Sequence, residues 1–387
     1  LPRHGFTLLE ILVAVSIFAV ALVAIVQAVN SVQKVWQDTH AKTREFREAR
    51  AAMEALNSRL SQATLNNYWD YPPSPTGANT PEVPPIPVPN SDLHFVSGSA
   101  AVLLEKPDNA TGHAVFFQAP IGYAGPASSR SESLEYGLLP DALCAWGFYV
   151  EFGDDHATLP SFLRSPPTKA KAPPRKRHRF RLMEFRQPAH ELTIFKSSET
   201  SGLPDIALPG TTIDKKSYKW FNEPLSASTS DPSKRRSTVV AENILAMILS
   251  PRDPRKRGRE ATSGNRADED IAPKYLYDTR AGISAAATED ERRTLHRLPA
   301  AMQITIIALD EADFANLTES ESIQLGGELK SAINGRFRRA RDFENDMGSV
   351  QGDLNRRKLR YRILTSTVPI PGGRWSLMPT DSGVAGL

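Results

Sequence analysis

Residues 6–29 read FTLLEILVAVSIFAVALVAIVQAV, and between Ile11 and Val26 the one polar side chain is Ser16. As a helix, this run crosses about 30 Å of hydrocarbon with some tilt to spare. A secretory signal peptide begins in a similar way, but its apolar core is usually ~7–15 residues long and ends in a small-x-small cleavage site. Here the basic stretch is only Arg3 with His4, the apolar core is longer, and no such site followed by a polar start is visible. The expectation is a transmembrane helix over residues 6–29.

Glu10 stands at the head of the apolar run. A carboxylate costs about 2.5–3.5 kcal/mol at mid-bilayer and less near the interface, so an unpaired Glu is an odd choice for a simple anchor. It calls for a partner. The word Gly5-Phe6-Thr7-Leu8-Leu9-Glu10 closely resembles the processing motif of type IV prepilins and of type II secretion pseudopilins. The resemblance implies that a membrane aspartyl peptidase, the prepilin peptidase and methylase, cuts between Gly5 and Phe6. It implies further that residues 1–5 are a cleaved leader, that Phe6 becomes an N-methylated terminus, and that Glu10 serves in assembly with other pilin-like subunits.

The residues make that chemistry sensible. Gly5 has no Cβ, so a protease can approach the backbone closely. Cleavage before Phe6 creates a cationic amine beside an apolar run, which a Glu on a neighbouring helix can neutralise in a medium of low dielectric. Arg3 and His4 precede the run while the chain after it is mixed in charge. That asymmetry predicts that the leader stays cytoplasmic and that the rest is exported to the periplasmic or extracellular side, and the resemblance implies that the helix sits in the inner (cytoplasmic) membrane.

No Gly or Pro interrupts residues 30–64, and Phe46, Ala49, Met53, Leu56 and Leu60 recur at steps of three and four. This predicts an amphipathic continuation of the helix over residues 30–66, with Arg44, Glu45, Arg47, Glu48, Arg50 and Glu54 on the other faces. The whole helix would be about 85 Å long at ~1.5 Å per residue. Its apolar stripe must pack on the protein's own sheet, on neighbouring subunits, or on both at different heights.

From residue 67 to 387 the pattern changes to short β-rich runs between polar or proline-rich stretches. Strands are expected at 93–96, 114–118, 146–152, 180–185, 192–195, 243–249, 302–309 and 361–368. Alternation such as Arg179-Phe180-Arg181-Leu182 argues for an antiparallel sheet with one wet face. Residues 72–89, 166–174, 226–236, 251–270 and 284–293 read as long loops inserted into one domain. Helices are expected within 319–334 and 338–358. The fold class is α+β, a long N-terminal helix leading into a β-rich exported domain.

Further words narrow the likeness. Residues 61–71 (SQATLNNYWDY), 93–98 (LHFVSG), 115–120 (VFFQAP), 147–155 (GFYVEFGDD) and 275–278 (YLYD) resemble the pilin-like proteins called Verru_Chthon cassette protein C, a group that carries no assigned biochemical activity. A looser resemblance, resting on Leu298-Pro299 before a late strand, is to the J-type minor pseudopilins of type II secretion. It implies a minor, tip-located subunit.

Catalytic words are wanting. His190-Glu191-Leu192-Thr193-Ile194 places Ile194 where a zinc-binding helix needs its second histidine, Gly327-Glu328-Leu329-Lys330-Ser331 lacks the order of a phosphate loop, and no Gly-x-Ser-x-Gly elbow occurs. Asp154 and Asp155 follow a strand, but calcium takes ~6–8 oxygen ligands and two adjacent carboxylates read first as a solvated turn. The single cysteine, Cys144, excludes an intramolecular disulfide and sits in an apolar run that reads as buried. A net charge of +3 on 47 basic and 44 acidic residues gives no reason to expect nucleic acid as a partner. The basic run from Lys169 to Arg181, with Lys171, Arg175, Lys176, Arg177 and Arg179, reads first as the flank of a solvated loop, the alternative being contact with DNA, polysaccharide or an anionic cell envelope.

No catalytic residue, metal or cofactor is therefore expected, and the protein is not read as an enzyme. The leading expectation is a pilin-like structural subunit that assembles through its N-terminal helix into a secretion filament or type IV pilus. The alternative is a membrane-anchored adhesive or ligand-binding envelope protein that does not polymerise.

Overall fold

The computed structural model describes residues 8–70, 88–105, 107–122, 141–155, 176–195, 218–227, 236–252, 271–281, 294–315 and 317–373. By compactness the chain divides into Leu1–Glu48 and Ala49–Leu387. Helix α1 spans Leu8–Leu60. Its last turns carry the apolar stripe read from the sequence: Ala49, Met53, Leu56 and Leu60 are all buried, with Ala52 beside them, in one cluster with Phe117, Trp146 and Met302, while the side chain of Phe46 lies outside the description. Arg59 lies beside this stripe with its guanidinium 4.8 Å from the centre of the Trp146 ring, a cation–π contact that shields the edge of the cluster.

After α1 the strands β1 (Tyr68–Asp70) and β2 (Val88–Asn90) pair with each other, so the end of the expected 72–89 loop is a strand. A sheet of six antiparallel strands follows. Its members are β3 (Val96–Ser99), β4 (Ala110–Pro120), β5 (Leu143–Asp154), β6 (His178–Gln187), β7 (Ser237–Glu242) and β9 (Tyr277–Asp278), in the order β7-β6-β5-β4-β3-β9. The second sheet has three strands, β8 (Ile244–Arg252), β10 (Ala301–Leu309) and β11 (Tyr361–Pro369), in the order β11-β10-β8.

The chain passes from one sheet to the other at Asn243, whose φ of 59° lies in the left-handed region that Asn tolerates better than most residues. The two sheets touch again at Gly112. There β4 shifts register and φ is 66°, and an added Cβ would stand 2.7 Å from the Met247 carbonyl oxygen of β8. Only glycine fits both demands.

The expected wet face is absent from the central strands. Val115, Phe117, Trp146 and Phe148 point into the cluster shared with α1 and the three-stranded sheet. Ala114, Phe116, Tyr149 and Phe185 fill a second cluster on the opposite face, roofed by the short helix α2 (Ala100–Leu103) and by α3 (Lys219–Ala227). Near-continuous apolar runs mark a strand buried on both sides, whatever the neighbouring strand's alternation suggests. Helix α3 contains Pro224, which cannot donate to the Trp220 carbonyl four residues back; the Thr193 hydroxyl donates to that oxygen instead.

Two further expectations are corrected. Residues 192–195 are not a strand: Pro188 ends β6, a 3-10 turn covers Ala189–Glu191, and Leu192 and Ile194 fold down into the second cluster. Arg179 is not a solvated loop residue but is buried in β6, held by Glu242 at 2.8 Å and Glu311 at 2.7 Å. Lys169, Lys171 and Arg175 lie outside the described residues, as do 166–174 and 284–293 entirely. Leu93 begins no strand, β3 starting at Val96, whereas the remaining expected strands and both late helices are present.

After α4 (Glu311–Ala315), the late helices α5 (Glu319–Asn334) and α6 (Phe343–Arg356) pack a third cluster against β8 and β10. Thr318 opens α5 with a reciprocal cap: its hydroxyl accepts the Glu321 amide, and the Glu321 carboxylate accepts the Thr318 amide. Gly326 is required at mid-helix because an added Cβ would stand 2.0 Å from the Phe152 ring, while one at Gly327 meets nothing within 4 Å. Gly326→Ala is therefore expected to lower stability by about 1–3 kcal/mol. Gly327→Ala, gaining helix propensity, is expected to raise it by up to about 1 kcal/mol, and opposite shifts of the thermal unfolding midpoint check the pair.

Candidate membrane and assembly segment

Within α1, Ile11–Gln33 is a stretch of 23 residues apolar and long enough to cross a bilayer, and every residue in it is exposed. Its two serine hydroxyls are satisfied inside the helix. The Ser16 hydroxyl donates to the Leu12 carbonyl at 2.6 Å, and Ser31 donates to Gln27 at 2.9 Å. A helix that leaves no hydroxyl unpaired while presenting Phe18, Leu22 and Ile25 outward suits a hydrocarbon surround or a bundle of like helices. Glu10 lies within α1 one position before this stretch, but its side chain is outside the description, and Gly5 and Phe6 precede the described residues.

Among the described residues of the C-terminal domain, His94 with Asp278 has the outline of a base and its orienting carboxylate. His94 Nε2 donates to Asp278 Oδ1 at 2.8 Å, and the other oxygen accepts the Tyr218 hydroxyl at 2.9 Å. Trp220 Nε1 donates to His94 Nδ1 at 3.1 Å, which fixes the histidine as the neutral tautomer protonated on Nε2. Burial pushes the His94 pKa down. For Asp278 burial acts upward, but His94, the Arg280 amide and Tyr218 outweigh it and hold the carboxyl below its usual range. Both ring nitrogens are occupied and the ring is fully enclosed, so no substrate atom can reach it.

The cluster is a fastener. It ties the word Leu93-His94-Phe95-Val96 to Tyr275-Leu276-Tyr277-Asp278 and to α3, elements remote in sequence. The aromatic word Ser217-Tyr218-Lys219-Trp220-Phe221, isolated in polar sequence, was the available signal for its third element. Among the described residues no three His, Cys, Asp or Glu side chains stand together as a metal site. Asp155 instead accepts the Arg177 amide at 3.1 Å, and Ile194 of the would-be zinc word is buried in the core. Cys144 is buried, as its apolar setting implies.

A second histidine pins the junction of the sheets. His113 on β4 accepts the Leu249 amide of β8 on Nδ1 at 3.0 Å and directs Nε2 at the Phe337 carbonyl, 3.4 Å away. Burial pushes its pKa down to about 4, and burial together with Arg280 does the same for His296. The unfolded chain binds these protons near pH 6.5 and the folded chain does not, so stability is full above that value and is lost as pH falls toward 4. For His113 the loss between pH 7 and pH 5 is about 2 kcal/mol. Denaturant titrations at the two pH values check it: a marked drop is expected for the native chain and a shallower one for His113→Gln, and a flat profile would contradict the assignment.

The sequence carries the prokaryotic N-terminal methylation motif, matched over residues 2–26. That match supports a type IV pilin-like protein whose precursor is processed by a prepilin peptidase. No curated protein and no solved structure matches the chain.

Proposed function

We propose that the protein is a pilin-like structural subunit, cut between Gly5 and Phe6, methylated on Phe6, and assembled through α1 into a secretion or surface filament. The observation that carries this reading is the coincidence of the methylation motif at residues 2–26 with a helix whose apolar face over Ile11–Gln33 is exposed throughout. An apolar surface of that extent needs lipid before assembly and other subunits after it. In the assembled bundle Glu10 of one subunit meets the methylated amine of Phe6 on its neighbour, and the pair removes the cost of two buried charges.

The C-terminal domain lies on the periplasmic or extracellular side of the inner membrane in this reading. A domain of this size crowds a thin filament if it is repeated at every position, which favours a minor subunit. The looser likeness to J-type pseudopilins points the same way.

The intact mass and N-terminal peptide of the protein from native membranes test the reading. A mature chain beginning at methylated Phe6 is expected, and a retained leader or a cut beyond the apolar run would overturn it. Gly5→Leu should retain residues 1–5 in the membrane-bound protein. Glu10→Val should be processed normally yet fail to appear in cross-linked ladders with other pilin-like subunits.

A further inference from the structure

An open cleft of about 490 Å³ lies between α5 and the paired ends of β5 and β6. This is within the range of small-molecule sites, roughly 300–1,000 Å³. Phe152 and Ile323 give it an apolar side; Glu151, Asp154, His178, Arg181 and Lys330 give it a polar one.

The polar side is incompletely paired. The Arg181 side chain is only 4% exposed, yet its one hydrogen bond runs from Nη2 to the Asp154 backbone carbonyl, and Glu151 stands 3.8 Å off. Its Nε is buried without a partner, and so is Nδ1 of His178. The Asp154 carboxylate accepts no hydrogen bond among the described residues. Arg179, two positions earlier on the same strand, is by contrast closed off by two carboxylates. A buried donor left unsatisfied costs about 1–3 kcal/mol, more when charged, and the fold gains nothing from this one.

The charges in the cleft are balanced, two cations against two carboxylates, so a simple anion or a simple cation entering it meets a like charge. A ligand bearing both signs does not. We propose that the cleft binds a small amphoteric ligand of amino-acid or dipeptide size. Its carboxylate sits on Arg181 and Lys330, its ammonium on Asp154, and its apolar side chain against Phe152 and Ile323. Nothing in this proposal depends on filament assembly.

Leucine and leucyl-leucine, titrated into the full chain in detergent micelles and followed by calorimetry, are the probes. Binding of either one is expected, and which of the two binds tells a free amino acid from a dipeptide. N-acetyl-leucine and leucine amide, each lacking one charge, should bind about tenfold more weakly or worse. Gly327→Leu fills the cleft from a position where an added Cβ has open space, so it should abolish binding without lowering the unfolding midpoint. Lys330→Ala should weaken binding. The proposal fails if neither probe binds at about 10 mM, if the single-charge analogues bind equally well, or if Gly327→Leu binds as the native chain does.

Discussion

The buried stripe at the end of α1 is the interaction on which the rest of the fold is hung. Leu56 and Leu60 are wholly enclosed, and with Ala49, Ala52 and Met53 they form one wall of the cluster that both sheets share. Truncating a buried leucine to alanine costs about 2–5 kcal/mol in such a setting, a large fraction of a typical domain's stability of about 5–15 kcal/mol. The helix is thus a structural member of the domain. Described side chains as far as Glu48 are exposed, and the stripe is buried from Ala49 onward. The helix thus changes character along its length, from an unbroken apolar run with every side chain exposed to a stripe among charges that is buried.

Because the central strands are buried on both faces, the sheets need internal fastening where polar groups cannot reach water. His113 and His94 supply it. Each uses both ring nitrogens, so each joins three elements; His113 does so with backbone groups, and at His94 the buried Asp278 carboxylate is compensated by hydrogen bonds from His94, Tyr218 and the Arg280 amide. The same arrangement that makes His94 and Asp278 resemble a catalytic pair on paper removes them from catalysis, since the nitrogen a substrate would need is held by Trp220.

Much of this was legible from residues. The apolar run, the stripe at steps of three and four, and the long strands such as β5 and β10 carry strong periodic signals, and α5 carried its cap at Thr318 and Glu321. The errors fall where periodicity is silent. A four-residue apolar word such as 192–195 suits a strand or a turn equally, and only the break at Pro188 decides it. Alternation through Arg179 and Arg181 looked like a wet face because a buried arginine is recognisable only by its partners, and Glu242 and Glu311 lie far along the chain. Strand β9, of two residues, has no local signature as a strand, and helix α3, with Pro224 inside, is marked only by the aromatic word at its start. The cleft was invisible for the same reason: it is lined from β5, β6 and α5, which no sequence spacing brings together.

The arrangement of the sheet edges bears on how subunits would meet. A nine-residue edge strand such as β11 is an invitation to pair with another chain. Here it carries exposed Arg362 in its first turn of pleat and ends at Pro369, and a charge and a proline are the usual means of blunting an edge. At the other sheet's margin β9 is too short to template a partner strand. The apolar faces of the large sheet's central strands are already occupied, and β9 and β11 are poor margins for adding a strand. The apolar surface of α1 over Ile11–Gln33 is exposed along its whole length, so that helix, rather than the sheets, carries the surface suited to lipid or to like helices.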